Sequence, residues 1–377
     1  HGLRTKKKEE AKELSCAEGN ASSAQLEALE LELAAHQKEL PLIFPQVDEA
    51  VVAGIVADWT GIPVGRMVTD EVAAVVALQS RLEARVIGQG PALAAIAERM
   101  QTARAQLTDP NKPVGVFLLA GPSGVGKTET ALALAEAMYG GEQNLITINM
   151  SEFQESHTVS TLKGAPPGYV GFGEGGVLTE AVRRKPYSTI LLDEVEKAHP
   201  DVHEIFYQVF DKGWMEDGEG RRVDFRNTTI LLTSNTGAEL IAALSEDPLL
   251  MPDVEALRDA LRPALRTVFP AAFLGRLTVV PYLPLAPNAL RDIVSLHLNR
   301  VVERMHAQHD IALEYTPALL SEIVGHCGAY ETGARRLIGF IEQRLLPILS
   351  RQWLDALQAR QKIRRMTADV KPSDSAN

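Results

Sequence analysis

One octapeptide limits what this chain can fold into more tightly than any other feature: Gly121-Pro122-Ser123-Gly124-Val125-Gly126-Lys127-Thr128. It follows an apolar run over residues 114–120 and opens a stretch of helical periodicity over residues 127–139. The spacing GxxxxGK[ST] between a buried strand and a helix predicts a phosphate-cradling loop. Its glycines let the backbone of Gly121, Pro122, Ser123, Gly124, Val125 and Gly126 wrap tightly and turn N–H groups toward phosphate oxygens. The helix N-terminus adds positive potential. Lys127 is expected to reach the β- and γ-phosphates and Thr128 to ligate Mg²⁺.

Such a loop needs a metal-holding partner, and a second segment supplies one. In Thr189-Ile190-Leu191-Leu192-Asp193-Glu194 an apolar strand ends in two adjacent acids. Asp193 is expected to hold Mg²⁺ through water, and Glu194 to orient and polarise the attacking water. Alone, two acids at a strand end are commonly just solvated; beside the glycine loop they gain meaning. Further apolar runs at 145–150 and 228–233 alternate with helical segments. This pattern predicts an α/β fold with a parallel sheet covered on both faces. The run at 228–233 leads into Ser234-Asn235, whose amide could face the γ-phosphate or simply cap the next helix.

The flanks differ from this middle. Residues 1–46 are rich in Lys, Glu, Ala and Leu, with Leu26, Leu33 and Leu40 at heptad spacing. A solvated linker helix and a coiled-coil remnant both remain open. Residues 48–60, 69–84 and 91–107 read as helices. From about 285 the pattern is mainly helical, and the polar tail after Lys362 is expected to fray. The expected organisation is a linker (1–46), a large α/β subdomain (47–284) and a small helical C-terminal subdomain (285–377). The first residue is His1, which reads as the start of a fragment of something longer. The formal net charge of −11 argues against duplex nucleic acid as the main partner. Cys16 and Cys327 form no ligand cluster, which suits a reducing cytosol. No apolar run reaches membrane-spanning length.

Taken in order, these residues resemble the AAA+ ATPases, and among them the second ATPase domain of the Clp/Hsp100 unfoldases. The resemblance covers roughly residues 48–350 and is carried by the glycine loop and by segments 58–64, 86–89, 150–153, 164–171, 178–201 and 223–235. It implies ATP and Mg²⁺ as cofactors, ATP hydrolysis, and an AAA+ α/β domain with a five-stranded parallel sheet and a helical lid. It implies that Val86 and Ile87 flank adenine and that Asn235 is the sensor 1 residue. Arg276, in Phe273-Leu274-Gly275-Arg276, matches the arginine finger that reaches a neighbouring subunit. Arg335, in Gly333-Ala334-Arg335-Arg336, matches sensor 2. Both place a cation where the transferring phosphoryl group spreads its charge.

The resemblance also implies partners. Gly168-Tyr169-Val170-Gly171 resembles the pore loop that grips a translocating polypeptide in a homo-hexamer, and 217–222 resembles a second pore loop. The context Gly275-Arg276-Leu277-Thr278 departs from the ClpB pattern. With 140–145, 212–216 and 280–285 it is more similar to the ClpV branch, which disassembles contracted type VI secretion sheaths; the ClpB disaggregase branch is the alternative. The peptidase-docking tripeptide of other Clp ATPases does not occur between Asn235 and Arg276, and Ile338-Gly339-Phe340 reads as helix packing. The implied setting is cytoplasmic, with no nucleic acid, membrane insertion or ClpP-type peptidase.

Overall fold

Successive residues of a strand point to opposite faces, and in this chain both directions lead into protein. In strand β1 (Gly115–Ala120), Phe117 and Leu119 join one apolar cluster while Leu118 and Ala120 join another. β2 (Leu145–Asn149), β3 (Thr189–Asp193), β4 (Trp214–Glu216), β5 (Arg222–Asp224), β6 (Thr229–Ser234) and β7 (Thr278–Pro281) come after it along the chain. In β3 and β6, Leu191 and Leu231 face the first cluster, whereas Ile190, Leu192, Ile230 and Leu232 face the second. Two buried faces explain why these strands read as continuous apolar runs. In the computed structural model, the described residues are 71–165, 167–168, 173, 175–246, 252–325, 333–359, 361 and 363–370, with Val47, Val52 and Ile55. The linker 1–46 and almost all of the expected helix at 48–60 lie outside them. The chain divides into units 1–59 and 60–377, and the second unit holds the whole sheet.

The five-stranded parallel sheet has the order β2-β3-β6-β1-β7. Helices α1 (Glu71–Val76), α2 (Leu78–Arg85), α3 (Gly90–Arg104) and α4 (Lys127–Tyr139) precede β2. Leu82, Ile96 and Leu134 place α2, α3 and α4 on the first cluster. α5 (Ser156–Lys163), α6 (Val177–Arg184), α7 (Pro200–Lys212), α8 (Ala238–Leu244), α9 (Val254–Arg266) and α10 (Ala271–Leu274) supply the second cluster through Leu162, Val182, Phe206, Ile241, Leu261 and Phe273. β4 and β5 form an antiparallel hairpin whose turn holds residues 217–221. Register matters for the site: Ala120 lies beside Ser234 and Asn149 beside Asp193. The loops after β1, β3 and β6 therefore emerge at one carboxyl edge, where ligands bind in open α/β sheets.

The C-terminal part comprises α11 (Pro287–His309), β8 (Ala312–Tyr315), α12 (Pro317–Gly325), α13 (Gly333–Phe340), a π-helical turn (Ile341–Leu345), α14 (Leu346–Gln358) and β9 (Arg365–Ala368). The expected fraying after Lys362 is wrong for β9. This strand pairs in parallel with β8, and Met366 and Ala368 are buried at alternate positions. That short alternation was masked by its polar flanks. β7 carries little strand signal in the sequence, being only four residues long and ending in Pro281. No helix among the described residues is long and apolar enough to cross a membrane.

Candidate active site

β1 delivers the glycine loop and α4 carries it away. Gly124 and Gly126 have φ of 73° and 104°, in the left-handed region that favours glycine. Gly126 is the N-cap of α4, so Lys127 and Thr128 open the helix. Lys127 Nζ, buried at 8% exposure, donates to the carbonyls of Gly121, Pro122 (3.0 Å) and Ser234 (3.1 Å), and to Asn235 Oδ1 at 2.8 Å. Burial pulls its ammonium down to about 8, against the attraction of Glu196, Asp193 and Glu194; Arg335 adds to the fall. An incoming polyphosphate would supply the missing negative charge. Buried Gln89 braces the loop from below: its Nε2 donates to Val125 O at 3.2 Å and to Leu283 O at 2.8 Å, and its Oε1 accepts from Leu283 N at 3.1 Å.

The carboxylates stand at the tip of β3. Thr233 Oγ1, on β6, donates to Asp193 Oδ1 and accepts the Glu194 N–H at 3.0 Å, so one hydroxyl aligns both acids. Glu194 has φ of 58°, unusual for a residue with a Cβ. Its Oε2 accepts from Lys197 Nζ at 2.7 Å. The Asn235 N–H donates to Glu196 Oε1 at 3.1 Å. Neither Gln89, Thr233 nor Glu196 was singled out from the sequence. Their roles depend on partners 36 to 194 residues away, and no local spacing reports that.

A cavity of about 570 Å³ gathers these groups. Val86, Ile87, the loop from Ser123 to Thr128, Asp193, Glu194, Asn235 and Arg335 all line it. Gly121 and Pro122 do not; they serve through their carbonyls to Lys127. The lid contributes Arg335 from α13 and His297 from α11. Burial lowers the His297 imidazole below its usual range, as do the nearby Arg300 and Arg304, against Glu129 and Glu342. The first turn of α13 is tied to the loop, since Ala334 N donates to Gly124 O at 3.0 Å. A Cβ on Gly333, whose φ is 52°, would come within 2.6 Å of that same oxygen.

The donors near the acids are oxygens: a Thr128 hydroxyl and the Asp193 carboxylate. No cluster of three or more His, Cys, Asp or Glu that could hold a metal occurs among the described residues. That set fits Mg²⁺, which takes one or two protein oxygens and completes its shell with water and phosphate. It does not fit a resident all-protein metal site.

Arg276 lies apart from the cavity. Its guanidinium meets Asp211 at 2.8 Å, donates to Ala272 O at 2.6 Å and covers the Tyr207 ring at 5.0 Å. Gly168 is described, exposed and at φ 91°. Tyr169, Val170 and Gly171 lie outside the described residues.

Residues 112–280 match the family description "AAA domain (Cdc48 subfamily)", and residues 285–365 match the "C-terminal, D2-small domain, of ClpB protein". The chain is 62% identical over 323 residues to the chaperone protein ClpB of Yersinia enterocolitica, covering 86% of this chain and 36% of that protein. It is 60% identical over 334 residues to the AAA+ ATPase ClpV1 of Pseudomonas aeruginosa, covering 89% and 37%. Against the ClpB of Meiothermus ruber it is 45% identical over 324 residues, covering 86% and 38%. The chain thus spans little more than a third of the length of these curated relatives.

Proposed function

Because the chain belongs to the Clp/Hsp100 group of AAA+ ATPases and matches their second ATPase domain, we propose that it is the motor module of a ClpV-type machine. In this reading a homo-hexameric ring in the cytoplasm hydrolyses ATP to thread polypeptide, and its substrate is the contracted type VI secretion sheath. The observation that carries the ATPase is the convergence of Lys127, Thr128, Asp193, Glu194, Asn235 and Arg335 on one cavity. Lys127 and the loop N–H groups bind the phosphates, and Val86 and Ile87 flank the base. Thr128 and Asp193 would hold Mg²⁺, which would supply positive charge to the phosphate oxygens. Glu194 takes up the proton of the attacking water while Asn235 and Arg335 face the γ-phosphate. Arg276 reaches a neighbouring subunit's site. The Gly168–Gly171 loop grips the substrate through Tyr169.

Matched segments that end at 280 and begin at 285 support the division into a large subdomain (47–284) and a small lid (285–377), preceded by a linker or coiled-coil remnant. Ile338 and Gly339 line the nucleotide cavity from α13, which supports reading that tripeptide as packing and not as a peptidase-docking tip. Identities of 60% to ClpV1 and 62% to the Yersinia ClpB are equally close. What supports the ClpV branch is the Gly275-Arg276-Leu277-Thr278 context with segments 140–145, 212–216 and 280–285, and a disaggregase is the second reading.

The test gives the intact protein MgATP with contracted sheath tubules, and separately with heat-aggregated reporter enzyme. Tubule disassembly without reporter recovery is the expected result, and Tyr169→Ala should abolish it with basal ATPase retained. Recovery of the reporter with tubules left whole would assign the chain to the disaggregase. Normal tubule disassembly by Tyr169→Ala would remove the pore-loop role.

A further inference from the structure

A third carboxylate stands beneath the site, with no task yet in phosphate, metal or base binding. Glu196 belongs to the 3-10 turn Val195–Lys197, held by Lys197 N to Glu194 O at 3.0 Å and Ala198 N to Val195 O at 3.2 Å. Val195 is fully buried, so the turn is anchored in the core below the edge of the sheet. From there Glu196 Oε1 accepts the N–H of Asn235 at 3.1 Å. That N–H sits where β6 ends and Ser234-Asn235 turns into α8, a point where the backbone donor has lost its strand partner. Asn235 is otherwise held by the turn bond from Ala238 N at 3.1 Å, and its side-chain oxygen takes Lys127 Nζ at 2.8 Å. The second oxygen of Glu196, Oε2, is buried and has no hydrogen-bond partner among the described residues. A buried carboxylate oxygen without a donor is costly, and such atoms are usually satisfied by ordered water.

We propose that Glu196 is a positioning residue for ATP hydrolysis: Oε1 pins the backbone of Asn235 and so sets the direction of its amide, while Oε2 receives an ordered water shared with that amide. The inference rests on the reading of the cavity as an ATPase site and adds a residue to it. When phosphates draw Lys127 away, the Asn235 amide loses its only side-chain tether among the described residues. The Glu196 anchor is what then keeps it aimed at the γ-phosphate. Such a residue acts on the rate and not on the grip, because it touches neither phosphate nor base.

Steady-state ATPase, nucleotide binding and thermal unfolding of the intact protein test this. Glu196→Ala should lower kcat about 10- to 100-fold, the scale of a misplacement near 1 Å, with nucleotide Kd within about threefold of wild type. Glu196→Gln keeps a carbonyl oxygen for the Asn235 N–H and should retain at least about a third of kcat. Glu196→Asp keeps the charge but withdraws it by one methylene; it should fall as Ala does, and it replaces Ala if that variant does not fold. In an Asn235→Ala background the Glu196→Ala change should cost no more than about twofold, because the side chain being aimed is gone. Wild-type kcat in both Ala and Asp variants overturns the proposal. So does a full additive loss in the Asn235→Ala background, or a Gln variant as impaired as Ala with weakened nucleotide binding, which would make the charge beside Lys127 the relevant property. A Glu194→Gln control separates the two levels: if it turns over normally the ATPase-site reading itself fails, whereas if it is inactive and Glu196 variants are normal, only this inference does.

Discussion

Glu194 occupies a backbone conformation that most side chains avoid, with its N–H fixed by Thr233 and its carboxylate held at 2.7 Å by Lys197. Strain of this kind persists where surrounding structure over-determines it. Asp193 and Lys127 can hold metal and phosphate without Glu194, so Glu194→Gln is predicted to bind MgATP with near-wild-type affinity and to hydrolyse it at least about 100-fold more slowly. Lys127→Ala should instead lose binding. Titration with a fluorescent nucleotide and measurement of phosphate release check both, and wild-type turnover by Glu194→Gln would reject its role as base. This part of the site was legible because its information is local: six glycine-loop residues, a lysine and a threonine in sequence, and two acids closing an apolar strand. The grip of Lys197 on Glu194, the Thr233 hydroxyl between the acids and the Glu196–Asn235 bond were not, since each is a choice among partners that only the fold brings near.

At the scale of elements, the contact between α7 and α10 carries an unusual load. His203 on α7 is 4% exposed, and neither ring nitrogen has a hydrogen-bond partner among the described residues. Its ring lies 4.7 Å from Phe273 of α10 and 5.6 Å from Phe269. Burial lowers the imidazole below its usual range, so the native state disfavours the protonated form. The unfolded chain, at an ordinary value near 6.5, takes up the proton first. Stability is therefore full above about pH 6.5 and falls as pH drops from there toward the native value, by up to about 1.4 kcal/mol per pH unit. Denaturant midpoints at pH 7.5 and 5.5 should show His203→Phe losing less stability on acidification than wild type; equal losses would contradict this. Elements were legible in the same uneven way as residues. Runs with both faces buried announced β1, β3 and β6, but four-residue β7 and β9 offered too little alternation to stand out from loop.

For the whole molecule, the position of Arg276 matters most. It is engaged by Asp211, Ala272 O and Tyr207 of the same chain, outside the cavity that chain builds. A partly exposed ion pair of this sort contributes about 0–1 kcal/mol, little enough to be exchanged for a stronger anion, as the proposed action between subunits requires. Arg276→Ala is predicted to leave nucleotide binding intact in each subunit and to reduce turnover by about 10³–10⁵ in assembled rings. Mixing it with Glu194→Gln subunits should restore part of the activity, at interfaces that pair an intact Glu194 with an intact arginine. Mixed rings verified by light scattering that show no recovery would count against action between subunits. The contacts of Arg276 with Asp211 and Tyr207 were not readable from the sequence; a lone arginine after Gly275 carries no sign of its role, and only the family resemblance marks it. The parallel ladder has one more consequence. Ala120 stands beside Ser234 and Asn149 beside Asp193, so the strands act as a gauge that delivers three distant peptides to a common finish line. Deleting a single residue within Thr229–Ser234 would drag Asn235 about 3.3 Å backward and turn the strand's remaining side chains onto the wrong face.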